Sequence, residues 1–165
     1  MFLGLTPLGV VHTAISLVAI AAGVSALLSY RILSPRNRAG RLYLVATFLT
    51  AATGLGIFRH GGFGPPHVLS LLTLLALGAG AAASLSTVFG TWSRQVEAVC
   101  YSTTILFHMI PGFTESLTRL PLGNPVLPSA EAPQFGPIYG TLFVLFAIGL
   151  GLQLRWLRSQ PAGPA

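Results

Sequence analysis

Four histidines, His12, His60, His67 and His108, are the side chains of this sequence with the widest chemical reach. Imidazole ligates haem iron and transition metals, and it exchanges protons near neutral pH. Little else stands beside them: there is no Asp and no Lys, the acids are Glu97, Glu115 and Glu131, and Cys100 is alone. A single cysteine excludes an internal disulfide. The chemistry therefore depends on which elements carry the histidines and whether those elements bring them together.

Composition says that the elements are membrane helices. Hydrophobic residues make up 53% of the 165 and charged residues 7%, with a mean hydropathy of +0.76, far from the soluble norm. The net charge of +6 comes from nine arginines that punctuate apolar runs instead of lining a basic face, so a nucleic-acid partner is excluded and the lipid bilayer is the expected surrounding. No nucleotide-binding pattern occurs: Gly54-Leu55-Gly56 sits inside an apolar run, without the strand-turn-helix setting that a dinucleotide loop requires.

A span needs about 20 apolar residues to cross the hydrocarbon, and five stretches qualify: 7–30, 41–58, 66–89, 94–110 and 137–157. The spacing predicts an all-α polytopic transmembrane bundle, a four-helix core plus a C-terminal span, forming one domain over 1–165. Thr6 before Pro7 reads as an N-cap, Pro65-Pro66 opens the third helix, and Pro111-Gly112 is expected to stop the fourth. Residues 111–136 then form a long outer loop, in which 113–120 would make a short amphipathic helix at the surface. Small residues four apart, Ala19 with Gly23 and Ala76 with Gly80 and Ser84, suit close helix contact.

Arginines orient the spans. Arg31, Arg36, Arg38 and Arg41 lie between the first two, Arg94 between the third and fourth, and Arg155 and Arg158 at the C-terminal end. By the positive-inside rule these segments are cytoplasmic and the N-terminus is outside. No basic region precedes the first apolar run, so no signal peptide is expected. Trp92, Trp156 and Tyr30 fall at the cytoplasmic ends as interfacial anchors.

All four histidines then lie toward the outer side. His12 is about 7 Å below the outer end of its helix and His108 about 5 Å below its own, whereas His60 and His67 belong to the outer hairpin RHGGFGPPH. An ionisable group inside a span is costly and points to function. At the cytoplasmic end Glu97, one turn from Arg94, is expected to pair or cap, and on the outer side Glu115 is expected to pair with Arg119 four residues on.

The run GRLYLVATFLTAATGLGIFRHGGFGPPHVLSLLTLLAL, Gly40 to Leu77, resembles the bacterial membrane-protein family called domain of unknown function 2306, and with His12 in the opening helix the likeness covers roughly the first 90 residues. The chain departs from that family where Asn37-Arg38 replaces a His-Arg pair, and where Arg94, Gln95 and Glu97 begin the fourth span while His108 comes late. The resemblance implies a helical fold in the bacterial cytoplasmic (inner) membrane. It implies no activity.

Three readings of the residues follow. In the first, His12 and His108 clamp a haem b iron for electron transfer, with His60, His67 and Arg59 at the propionates. In the second, His12, His108 and Glu115 hold Zn or Cu, although membrane zinc hydrolases usually add an aspartate and copper sites methionines. Within this enzyme reading a serine hydrolase fares no better, because Ser16 lies one turn from His12 with no orienting acid close in sequence. In the third, the chain is a non-enzymatic membrane protein that binds or transports a lipid-like molecule, or serves as a subunit beside another membrane protein or a second copy of itself.

Overall fold

The computed structural model describes residues 6–58, 62–86 and 88–160. Among these, every long element is helical: α1 (Pro7–Tyr30), α2 (Arg38–Gly54), α3 (Pro65–Leu85), α4 (Ser93–Arg119) and α5 (Phe135–Ser159), with a single 3-10 turn at Gly90–Trp92 before α4. Successive helices pack on one another, α1 on α2, α2 on α3, α3 on α4 and α4 on α5, while α1 touches α4 lightly. Three helices, α1, α3 and α5, are long and apolar enough to cross a membrane.

Local chemistry sets the ends. The Thr6 hydroxyl accepts from Gly9 N–H at 3.1 Å to start α1, and the Asn37 side chain accepts from Gly40 N–H at 2.7 Å to start α2. These caps satisfy amides that a helix leaves unpaired in its first turn. Asn37 thus begins α2 three residues ahead of the expected position, and the helix ends at Gly54 instead of 58. Likewise α3 ends at Leu85, where Ser86 turns extended, and not at 89.

The fourth helix is the larger correction. Pro111 stands inside α4, which continues to Arg119, so the expected stop at 110, the outer loop beginning at 111 and the separate surface helix over 113–120 are replaced by one 27-residue helix. Proline removes one backbone donor and crowds the preceding turn, but the residues beyond it are held by tertiary contacts. Leu117 packs against Leu127, Ala132 and Phe135, and the Thr114 hydroxyl meets Tyr139 of α5 at 2.6 Å. The expected Glu115–Arg119 pair is present along this extension.

The bundle is apolar outside and small or polar within. Leu17, Leu28, Val45, Phe48, Leu75, Phe143, Leu145 and Leu152 face outward, whereas Ala19, Ala22, Ala26, Thr47, Thr104 and Glu97 are buried. Exposed apolar surface on this scale suits hydrocarbon as the solvent. Close packing comes from glycine: a Cβ at Gly23 would sit 2.8 Å from the Tyr43 ring, and one at Gly80 would collide with Tyr101. Van der Waals contact between small residues is the expected basis of helix association in lipid.

Candidate functional site

His12 and His108 enter the same junction of α1, α2 and α4, but as hydrogen-bonded imidazoles. His108, 5% exposed, has Nδ1 3.1 Å from the Ser16 hydroxyl of α1 and Nε2 3.1 Å from the Thr47 hydroxyl of α2. His12 has Nδ1 3.1 Å from the Thr53 hydroxyl of α2. Both rings therefore cross-link helices.

Proton positions follow from hydroxyl bookkeeping, since each hydroxyl has a single hydrogen to donate. Thr53 donates to the Leu49 carbonyl at 2.7 Å, so it accepts from His12 Nδ1–H. Thr104 donates to the Tyr101 carbonyl at 2.7 Å and accepts from the Tyr43 hydroxyl at 2.5 Å. In a neutral imidazole one nitrogen donates and the other accepts, so the Thr47 and Ser16 hydroxyls take opposite roles toward His108. Both His108 nitrogens are engaged, and an iron or zinc ligand needs a free lone pair.

Of the other predicted site residues, His67 and Glu115 lie elsewhere. His60, with Arg59, is outside the described residues. The His67 ring is buried between Phe58 and Phe63, with centroids at 4.6 and 5.2 Å, and its Nδ1 accepts from Gly64 N–H at 3.1 Å to cap α3. Its Nε2 is buried without a hydrogen-bond partner. The Glu115 side chain is half exposed beside Arg119. Among the described residues no three His, Cys, Asp or Glu side chains converge on a metal position.

Two arrangements escaped the sequence reading. Glu97, 1% exposed, pairs with Arg36 of the α1–α2 link through Nη1 at 2.8 and 2.9 Å and accepts from the Ser34 hydroxyl at 2.9 Å. The partner is therefore across the bundle, 61 residues away, where local spacing carries no signal. A signal did exist in α4 itself, because Glu97, Tyr101, Thr104 and His108 recur at helical spacing along one face and all four are buried.

The second is a cleft of about 400 Å³ between α5 and the α1/α4 edge, walled by Leu27, Ile105, Phe146, Leu150 and Leu152. Its polar residues are mutually satisfied. Ser102 donates to Gln153 Oε1 at 2.7 Å, and Gln153 Nε2 donates to the Arg31 carbonyl at 2.8 Å. Arg31 caps α1 in a left-handed conformation (φ 59°), and its guanidinium lies 5.9 Å from the Trp156 ring centre at the cleft end. The space thus offers hydrocarbon walls with a cation and an indole at one end.

No family model, curated protein or solved structure matches the chain. The likeness over Gly40 to Leu77 stands as a resemblance in the residues alone.

Proposed function

We propose that the chain is a multi-pass protein of the bacterial cytoplasmic membrane that binds a lipid-like amphiphile and performs no reaction on it. The cleft between α5 and the α1/α4 edge carries this reading. At about 400 Å³ it falls in the range of small-molecule pockets, opens on the apolar exterior, and has its buried polar atoms already paired. A hydrocarbon chain suits the walls, and a polar or anionic head suits Arg31 and Trp156.

In this reading all five helices span, with the N-terminus outside and the arginine-bearing end in the cytoplasm. The 17 residues of α2 cover about 25 Å, near the thickness of the hydrocarbon. In α4 the charged residues Arg94, Glu97, Glu115 and Arg119 keep to the two ends, leaving the intervening turns, with the neutral His108, free of formal charge.

Gly149 lines the cleft, and a Cβ added there meets nothing within 4 Å, so a larger side chain can start from that wall without a backbone clash. Native mass spectrometry of the detergent-extracted protein should find a retained lipid on the wild type and about tenfold less on Gly149→Leu. Equal retention by the two would remove the cleft as the site. Haem clamped by His12 and His108 is the weaker reading, since it requires His108 to abandon Ser16 or Thr47. A Soret band from protein made in haem-replete cells, lost in His108→Ala, would reinstate it.

A further inference from the structure

The cleft beside α5 has one charged end, and its length is that of one leaflet. Its lining on α5 runs from Phe146 to Trp156, ten residues or about 15 Å of helix, which is half the thickness of the hydrocarbon. Ser102 and Gln153 bond to each other and to the Arg31 carbonyl, so the charge offered to a ligand is the Arg31 guanidinium. The Arg31 backbone is fixed on both sides: its N–H donates to the Leu27 carbonyl at 2.9 Å, and its carbonyl accepts from Gln153 at 2.8 Å. Its guanidinium lies over the Trp156 ring and takes no part in the Arg36–Glu97 or Arg119–Glu115 pairs. Among the described residues no acid lines the cleft.

We infer that the occupant is an anionic phospholipid, with one acyl chain in the cleft and its phosphate on Arg31. This assignment rests on the amphiphile reading of the same cleft and names the class of ligand. Guanidinium matches phosphate oxygens in planar, paired hydrogen bonds, and an indole such as Trp156 sits at headgroup level. A site one leaflet long suits a bilayer lipid whose head stays at the interface. The cleft opens toward the exposed apolar surface around Leu152, so the lipid can enter sideways and leave its second chain in the bilayer. With the arginine-bearing end in the cytoplasm, that lipid belongs to the inner leaflet, where anionic headgroups attract basic residues.

The experiment measures lipid carried by the full-length protein from nanodiscs of equal phosphatidylglycerol and phosphatidylcholine, by native mass spectrometry. Wild type should prefer phosphatidylglycerol by about fivefold, the order expected for one arginine at an anionic surface. Arg31→Gln should bring the ratio near unity with total lipid kept, because the α1 cap uses the backbone of Arg31 and not its side chain. Arg31→Lys should keep part of the preference. Arg155→Gln removes a cation of the same end that does not line the cleft, and it should leave the ratio unchanged.

A preference that survives Arg31→Gln, or falls equally in Arg155→Gln, overturns the assignment. Wild type that retains both lipids equally also overturns it, while the amphiphile reading stands. Equal lipid retention by wild type and Gly149→Leu removes the cleft, and both readings with it. A long-chain fatty acid that displaces the phospholipid at equimolar concentration, or a protein dimer formed in place of the lipid adduct, gives the cleft another occupant and overturns the assignment.

Discussion

Removing the His108 ring would leave the Ser16 and Thr47 hydroxyls facing a hole in the junction of three helices. Each hydrogen bond between membrane helices contributes about 0.6 kcal/mol on average, and the vacated volume adds a cavity cost. His108→Ala is therefore expected to lower stability by roughly 2–3 kcal/mol, measured by unfolding in mixed micelles. His108→Gln, which can still offer a donor and an acceptor, should cost less than half of that, and an equal cost would contradict the hydrogen-bonded role. His12 is only half-buried, with one hydroxyl partner on α2, so His12→Ala should be milder than His108→Ala. Pro111 suggested a helix end just above His108, but α4 runs on to Arg119, so of the histidine pair only its meeting at one junction was legible. Their partners were not, because Ser16, Thr47 and Thr53 read locally as ordinary small polar residues and acquire a role only when α1, α2 and α4 meet.

Elements supply two further tests. The Glu97 carboxylate is 1% exposed while the Arg36 side chain is 59% exposed, so the pair ties a surface link to the bundle interior. Losing one member of a buried pair strands the other charge. Arg36→Gln should destabilise by about 2–4 kcal/mol, at the low side of the buried-pair range because Arg36 is hydrated. Arg36→Gln/Glu97→Gln should be less harmful than the sum of the single substitutions, and strict additivity would show that the pair contributes no coupling. Pro111 is the second test. Proline followed by glycine is ordinarily a helix stop, and that local rule fails here because Leu117, Thr114 and Tyr139 anchor the turns beyond it. Because α4 already runs through this position, Pro111→Ala should restore a backbone hydrogen bond to Phe107 and raise the unfolding midpoint. A lower midpoint would mean that the proline shape is itself required for packing.

At the scale of the whole molecule, the hydropathy pattern made the helical bundle legible in sequence, including the outlying position of α5, which packs on α4. Small-residue spacing also anticipated the close approaches at Gly23 and Gly80. The orientation rests on arginine placement: the ends of α1 and α5 and the starts of α2 and α4 gather Arg31, Arg36, Arg38, Arg41, Arg94, Arg155 and Arg158 at one end, while Arg119 lies at the other. A bilayer with the positive-inside bias would hold the first end in the cytoplasm. Cysteine accessibility decides this when Cys100 is replaced by Ala and single cysteines are introduced at Asn124 and Ser159. Both positions are exposed, and neither takes part in the His108 junction or the Glu97 pair. A membrane-impermeant maleimide applied to intact spheroplasts should label Asn124→Cys and spare Ser159→Cys until the membrane is permeabilised. The reverse pattern would invert the bundle and place its arginine-bearing end outside. Labelling of both before permeabilisation would mean an even number of crossings between them, which removes α5 as a span and with it the membrane-facing cleft.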